Sequence, residues 1–201
     1  MLFRSFIPAA LAGLVVGYIF GINLVDGALA LRQTKPLAGH MRLISGIKQT
    51  LIIDDTYNSS PDAVRSALYA VSKILPQESG KRIAILGDML ELGADTEISH
   101  REIGFRVAEL NYDYLITVGE ASKKFTSSSA KEAGMDENKI AVFDDSATAG
   151  KFLQDKMGKG DVILVKGSQG KRMEKIVKEV MAEPEKANEL LVRQEDHWSK
   201  K

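Results

Sequence analysis

The chain predicts an α/β protein, a Rossmann-like, mostly parallel β-sheet with helices on both faces. Three observations support this prediction. Short β-type runs alternate with helix-type segments over most of the 201 residues, and this order joins parallel strands through helical crossovers. The β-type runs are rich in apolar residues, as strands buried on both faces are. Glycine, aspartate and asparagine collect where the runs end, at the edge where open parallel sheets bind ligands.

The elements follow one another in a regular order. The predicted strands are residues 41–45, 50–53, 82–86, 114–118, 139–143 and 162–165. The predicted helices are residues 23–33, 61–75, 97–110, 121–133, 147–157 and 171–181. Ser60 and Pro61 mark one helix start, because serine caps helix N-termini and proline suits the first helical position. From Ala182 onward the chain is polar and charged, which predicts a peripheral helix with a frayed end.

The first part of the chain does not fit this alternation. Residues 6–25 are almost wholly apolar, with Asn23 the only clearly polar one, and the run is about long enough to span a bilayer. The run equally suits a helix buried against another domain, and periodicity does not separate the two interpretations. A Pro-Leu-Ala-Gly break at residues 36–39 then predicts two domains, 1–37 and 38–201.

Composition excludes several classes of function. The chain has 27 basic and 27 acidic residues, so it lacks the net positive charge typical of nucleic-acid binding. It has no cysteine, which excludes disulfides, thiol catalysis and thiolate metal sites. Its three histidines show no metal-binding spacing, which argues against a structural zinc site. A reducing cytoplasm suits such a chain.

The glycine-rich segment after the last predicted strand indicates an anion site. Residues 166–171 read Lys-Gly-Ser-Gln-Gly-Lys and lead into the predicted helix 171–181, so free backbone N–H groups and the helix dipole would meet there. The segment imitates a nucleotide-binding P-loop, G-x-x-x-x-G-K-[ST], without being one. Val165 replaces the first glycine and Arg172 replaces the Mg²⁺-binding hydroxyl. If ATP is used, its main phosphate cradle lies outside this sequence.

Two other strand ends carry candidate ligand residues. Asp54 and Asp55 end an apolar strand together, and two adjacent carboxylates do not both serve as caps, so a ribose hydroxyl is a candidate partner for one of them. Residues 88–93 form an apolar loop, in which Met89, Leu90 and Leu92 are expected to be exposed and to contact a substrate or another domain. Ordinary cap and turn roles are expected for Glu120, Asp144 and Asp145. His100 is expected in the first turn of its helix, with a structural and a functional role both open.

Three motifs resemble a known family. Residues 54–61 (DDTYNSSP), 86–93 (LGDMLELG) and 165–168 (VKGS) are similar to the C-terminal domain of the Mur ligases. The LGDMLELG string resembles the branch that adds D-alanyl-D-alanine to UDP-N-acetylmuramoyl-tripeptide in peptidoglycan synthesis, and it speaks against related folate and cyanophycin ligases. The resemblance implies that residues 1–37 are the last helices of a central ATPase domain. It therefore favours a buried helix over a membrane anchor for the apolar run.

The resemblance also implies a reaction and a set of site residues. The family forms an amide with ATP, through an acyl phosphate that the dipeptide amine attacks. By resemblance Asp55 contacts the ATP ribose and Asn58 lies on the adenine side of that pocket. The residues implied to hold the dipeptide are Asp88, Glu91, Lys166, Gly167 and Ser168. ATP and Mg²⁺ are the implied cofactors, with their main site outside this chain, and UDP-muramoyl-peptide and D-alanyl-D-alanine are the implied substrates.

Two departures from the family pattern keep alternatives open. The P-loop is absent, and His40 stands where the family's P-x-x-G-R-M pattern places a phosphate-facing arginine. The chain is then a fragment of a ligase, one half of a split enzyme whose ATPase core is a separate chain, or a non-catalytic domain that keeps the fold and binds a ligand or partner. A membrane-anchored α/β domain is a further hypothesis, suggested only by residues 6–25.

Overall fold

The computed structural model describes residues 7–34, 36–77, 79–195 and 198. The first residue of the predicted apolar run, Phe6, and part of the tail lie outside these ranges. The chain divides into two compact units between Leu37 and Ala38.

The first unit consists of two helices, α1 (Ile7–Ile19) and α2 (Leu24–Gln33). The apolar run is therefore interrupted rather than continuous, since Gly21 takes a left-handed φ of 84° and the Asn23 side chain accepts hydrogen bonds from Val25 N and Asp26 N at the start of α2. No side chain of α2 is buried in this unit. In the described part of the chain, every helix is too short or too polar to cross a membrane.

The second unit is built on one six-stranded sheet. Its strands are β1 (Arg42–Ser45), β2 (Leu51–Asp55), β3 (Arg82–Gly87), β4 (Tyr114–Val118), β5 (Ile140–Phe143) and β6 (Val162–Lys166). Their order across the sheet is β1-β2-β6-β3-β4-β5. Only the β1–β2 pair is antiparallel, because the connection between them is a tight turn, whereas the other neighbours are parallel. The predicted fold class is confirmed.

Helices cover both faces of the sheet. They are α3 (Pro61–Ser72), α4 (Thr96–Glu109), α5 (Ser127–Glu132, after a π-helical turn), α6 (Ser146–Lys156), α7 (Glu174–Val180) and a short α8 (Ala187–Leu190). On one face α6 and α7 contribute Leu153, Ile176 and Val177 to a core with alternate strand residues such as Ile163. Helices α3 and α4 bury a second set, which includes Leu68. As predicted, Ser60 caps α3 by accepting a hydrogen bond from Ala63 N.

Candidate functional site

The sheet topology places the predicted site loops at one edge. Strand β6 lies between β2 and β3, and Lys166 at its end pairs in register with Asp55 on one side and Leu86 on the other. The carboxyl ends of β2, β6 and β3 are therefore neighbours, although they are far apart in sequence. We call the loop after β2 with its contacts the β2 half of the site, and the loop after β3 with its contacts the β3 half.

Asp54 is a buried structural carboxylate of the β2 half. Its side chain is fully buried and accepts hydrogen bonds from Gly39 N (3.0 Å), Thr56 N (3.3 Å) and Thr56 Oγ1 (2.6 Å). Burial raises the pKa of Asp54 from 3.8 to about 6, and the hydrogen bonds from Thr56 and Gly39 oppose part of that rise. Asp54 thus ties the start of the α/β unit to the loop after β2.

Asp55, Asn58 and Lys166 come together beside Asp54. The Lys166 ammonium lies 2.7 Å from Asp55 Oδ2 and donates to the Asn58 carbonyl oxygen at 2.9 Å. Asp55 Oδ1 accepts from Met41 N at 3.1 Å, and the Asp55 side chain is 13% exposed. Each carboxylate oxygen can accept more than one hydrogen bond. The exposed part of Asp55 is therefore still able to accept a hydrogen bond from a hydroxyl group. Lys166, assigned to the dipeptide by resemblance, is thus paired with Asp55 in the β2 half.

His40 and Tyr57 form the outer part of the β2 half. Their rings stack with centroids 4.6 Å apart, and His40 Nδ1 lies 2.9 Å from the Ala38 carbonyl oxygen, which only accepts, so this nitrogen carries the proton. Arg42 points elsewhere, because its Nη1 donates to the Glu189 carbonyl oxygen.

Asp88 organises the β3 half. Its Oδ1 accepts from Ser122 N at 2.7 Å, and its Oδ2 lies 2.7 Å from the Lys171 ammonium. A Cβ atom on Gly119, whose φ is +103°, would lie 2.3 Å from the Asp88 carboxylate, so only glycine allows this approach. The Asp88 side chain is 5% exposed, whereas that of Lys171 is 25% exposed. Lys171 was not among the residues predicted to hold the dipeptide, although its place in the glycine-rich loop was the available signal.

The apolar loop of the β3 half differs from the prediction at Met89. Met89 is buried rather than exposed, because its N–H donates to His100 Nε2 at 3.1 Å and draws the loop inward. His100 Nδ1 lies 2.7 Å from Thr96 O, so both ring nitrogens of the buried imidazole are used and its role is structural. His100 lies just beyond the first turn of α4, which begins at Thr96. Leu90 is 42% exposed, as expected, and Glu91 is exposed with a left-handed φ of 65°.

The loop after β6 joins the two halves. Ser168 Oγ accepts from Leu90 N (2.9 Å) in the β3 half and donates to the Ser59 carbonyl oxygen (3.4 Å) in the β2 half. Gly167 lies so close to Gly87 that a Cβ atom on Gly167 would be 3.0 Å from the Gly87 Cα. The three loops that carry the predicted motifs are therefore physically connected through Ser168.

The helix after this loop begins later than predicted. Residues Gln169–Lys171 form a 3₁₀ turn, Arg172 adopts a left-handed φ of 51°, and α7 starts only at Glu174. The predicted meeting of the glycine-rich turn with a helix N-terminus was therefore wrong, because the left-handed Arg172 separates them. The accessible positive charge at this loop comes from the Lys171 side chain.

The tail also differs from the prediction of a peripheral, frayed segment. Leu191 is buried in the core, and Arg193 is 8% exposed. Arg193 donates hydrogen bonds to the carbonyl oxygens of Thr56 and Tyr57 in the β2 half. Sequence reasoning had no signal for this contact, because the partners are 137 and 136 residues apart in the chain.

Comparison with known proteins agrees with this architecture. The family profile of the Mur ligase glutamate ligase domain matches residues 39–169. A UDP-N-acetylmuramoyl-tripeptide–D-alanyl-D-alanine ligase of Bacillus subtilis is 29% identical over 87% of this chain and 37% of its own length. The ligase of the same name from Mycobacterium leprae is 31% identical over 79% of this chain and 33% of its own length. The chain thus spans little more than a third of these relatives.

Solved structures show the same relationship. A MurF structure from Acinetobacter baumannii superposes with a TM-score of 0.74 at 26% identity, over 87% of this chain and 37% of that one. MurF ligase from Thermotoga maritima, in complex with ADP, gives a TM-score of 0.65 at 28% identity, over 86% and 37%. With the profile covering most of the α/β unit, this chain belongs to the Mur ligase family, and its α/β unit is that family's glutamate ligase domain.

Proposed function

We propose that this chain supplies the C-terminal domain for an ATP-dependent ligase that joins D-alanyl-D-alanine to UDP-N-acetylmuramoyl-tripeptide in cytoplasmic peptidoglycan synthesis. The observation that carries the proposal is the connection of the three motif loops through Ser168 at the carboxyl edge of the sheet. The names of the similar ligases supply the reaction and its substrates. In that reaction the muramoyl-peptide carboxylate becomes an acyl phosphate, and the dipeptide amine then displaces phosphate to form the amide.

The β2 half is the proposed nucleotide side. Asp55 accepts a hydrogen bond from a ribose hydroxyl through the exposed part of its carboxylate, while Lys166 pairs with its Oδ2. Asn58 lies next to Asp55 on the adenine side, and its Oδ1 is oriented by a 2.8 Å hydrogen bond from Ser59 N. His40 replaces the family's phosphate-facing arginine, so a titratable imidazole stands where a permanent cation is usual.

The β3 half is the proposed dipeptide side. The Lys171 ammonium binds the dipeptide carboxylate, and Asp88 holds that ammonium in place through an ion pair at 2.7 Å. Glu91 is exposed at the rim, where its carboxylate is available to the incoming amine. Gly167 and Ser168 belong to the loop that connects the two halves. Positioning and charge neutralisation of this kind are what phosphoryl and acyl-phosphate chemistry mainly require.

The phosphate cradle and the Mg²⁺ ligands are proposed to lie outside these 201 residues. The sequence has no P-loop, and no cluster of three or more His, Asp or Glu side chains in the described ranges is arranged to hold a metal ion. Asp55 and Asp88, the candidate carboxylates, are each already paired with a lysine of the chain. When bound elsewhere in the ligase, Mg²⁺ would neutralise phosphate charge, and this chain would close the nucleotide site from the ribose side.

Residues 1–37 are proposed to be the last helices of the central ATPase domain. Large apolar side chains of this unit are exposed, among them Val15 at 58%, Phe20 at 81% and Val25 at 69%. Surfaces of this kind are normally covered, and the remaining part of the central domain, in the same or a separate chain, is the proposed cover.

A non-catalytic binding domain is the alternative, favoured by His40 and by the two lysine-paired carboxylates. The test is a chimera in which residues 38–201 replace the matching part of the Bacillus subtilis ligase, with phosphate release measured against D-alanyl-D-alanine concentration. Release that depends on the dipeptide and on the tripeptide substrate supports the ligase. A folded chimera that binds ATP but releases no phosphate would establish the non-catalytic alternative. The isolated chain is expected to hydrolyse no ATP.

A further inference from the structure

Arg193 is a buried cation that donates two hydrogen bonds to one loop of the site. Its Nη1 donates to the Thr56 carbonyl oxygen at 3.0 Å, and its Nη2 donates to the Tyr57 carbonyl oxygen. The guanidinium also lies over the Tyr57 ring, 5.6 Å from its centroid. A cation withdrawn from water is stable only when its N–H groups are paired. Two of the partners of Arg193 are successive carbonyl oxygens of the loop after β2.

Glu174 holds Arg193 in this orientation. The Glu174 side chain is fully buried at the start of α7, and its Oε2 lies 3.4 Å from Arg193 Nη1. Its other oxygen, Oε1, accepts from Arg172 Nε at 2.5 Å. The carboxylate is therefore fixed by two arginines, and Arg193 presents its remaining donors to the loop.

The loop backbone is consequently held at each residue between Asp55 and Asn58. The peptide unit between Thr56 and Tyr57 is fixed at both ends, because Arg193 binds its carbonyl and its N–H donates to Gly39 O at 3.0 Å. The next carbonyl, that of Tyr57, also accepts from Arg193. The carbonyl after it, that of Asn58, accepts from Lys166. Three successive carbonyls thus accept from two buried cations.

We propose that Arg193 is a positioning residue that fixes the loop carrying Asp55 and Asn58 in the conformation that binds the nucleoside part of ATP. This inference rests on the proposed nucleotide role of the β2 half. An arginine is required because its planar fork reaches two carbonyls at once, whereas a lysine ammonium is a single point charge. The C-terminal tail, which has no motif of its own, thereby sets the nucleotide affinity of the domain.

The first test measures amide hydrogen exchange in the full 201-residue chain. Arg193→Lys keeps the charge beside Glu174 but loses the fork, and Leu191→Ala is the control that weakens the same tail through the core. We compare the exchange of Tyr57 N–H, in the loop, with that of Ile163 N–H, in the central strand. Arg193→Lys is expected to raise the Tyr57-to-Ile163 rate ratio by about tenfold or more, because loss of a charge-assisted hydrogen bond opens the loop locally. An unchanged ratio would overturn the proposal.

The second test titrates the same variants with adenosine, followed by the backbone amide shifts of residues 40–58. Arg193→Lys is expected to weaken binding by about tenfold, while Leu191→Ala keeps the wild-type affinity within about twofold. Wild-type affinity in Arg193→Lys would overturn the positioning role. If adenosine shifts no loop amide even in the wild type, the proposed nucleotide site fails. The exchange ratio then still decides whether Arg193 fixes the loop.

Discussion

The buried carboxylate of Asp54 makes the stability of the domain depend on pH in a defined direction. Asp54→Asn removes the titration while keeping the size of the side chain. The asparagine Oδ1 still accepts from Thr56, but its amide nitrogen meets the Gly39 N–H, so the variant loses one hydrogen bond at every pH. The informative quantity is therefore the pH dependence of the difference between wild type and variant in the free energy of unfolding.

The sign follows from the raised pKa. The Asp54 carboxyl titrates near 3.8 when unfolded and at about 6 when folded, so between these values the unfolded chain releases its proton first. Its stabilising contribution is fully present below pH 3.8 and is lost as the pH rises through 6. The folded and unfolded pKa values differ by about two pH units, and each unit corresponds to about 1.4 kcal/mol. The total loss of unfolding free energy is therefore about 3 kcal/mol. About 2 kcal/mol of it falls between about pH 4.5 and 7.5.

The assay is urea unfolding at several pH values across that window. Asp144→Asn is the matched control, since it makes the same chemical change at a side chain that is 83% exposed. Parallel pH profiles of wild type and Asp54→Asn would refute the reasoning. A difference that grows in favour of the wild type as the pH rises would show that the hydrogen bonds from Gly39 and Thr56 outweigh burial.

Three further predictions concern the same edge of the sheet. Lys166→Met leaves the Asp55 carboxylate without its cation and is expected to lower the unfolding free energy by about 3 kcal/mol in urea titration, whereas a loss under about 1 kcal/mol contradicts the pairing. In the chimera, His40→Arg is expected to speed acyl-phosphate formation by about 10- to 100-fold, since one charge-assisted contact contributes about 1.5–3 kcal/mol. Gly167→Ala places a Cβ 3.0 Å from the Gly87 backbone and is expected to cost about 1–3 kcal/mol of stability, with a melting temperature unchanged from wild type contradicting this.

Two of these predictions have a matched control elsewhere in the chain, and the third has a defined contradicting result. Lys171→Met removes the more exposed lysine of the other pair and is expected to cost less stability than Lys166→Met. Equal rates for histidine, arginine and alanine at position 40 would show that it does not handle phosphate. Gly170→Ala meets only the end of the Leu90 side chain, at 3.0 Å, and is expected to be tolerated.

The strands were predictable because burial on both faces leaves a simple signal. Residues 162–165 are a continuous apolar run and residues 114–118 contain a single threonine among apolar and aromatic residues, and the structure has them in β6 and β4. The position of the candidate site followed from the same reasoning, since the carboxyl ends of parallel strands share an edge. Helix starts were predictable where a side chain caps them, as at Ser60, and less so at α7, where the backbone of Arg172 decides.

The pairing of side chains across the fold was not predictable. Lys166 faces Asp55 rather than Asp88 because of the register between β2 and β6, which no local pattern encodes. Met89 is buried through a hydrogen bond to His100, although its neighbours in sequence suggested an exposed loop. Arg193 reaches the site from the far end of the chain. The site residues came from motifs, whereas their partners came only from the three-dimensional structure.

The assignment of the two halves is tested most directly by a pair of matched substitutions in the chimera. Asp55 and Asp88 are both buried carboxylates with a lysine ammonium at 2.7 Å, so replacing each by asparagine removes the same kind of ion pair from each half. Asp55→Asn is expected to raise the KM for ATP by about tenfold and to leave the KM for D-alanyl-D-alanine unchanged. Asp88→Asn is expected to raise the KM for D-alanyl-D-alanine by about tenfold and to leave the KM for ATP unchanged. If both variants raise the same KM, or if each raises the KM assigned to the other, the assignment of nucleotide and dipeptide to the β2 and β3 halves is wrong.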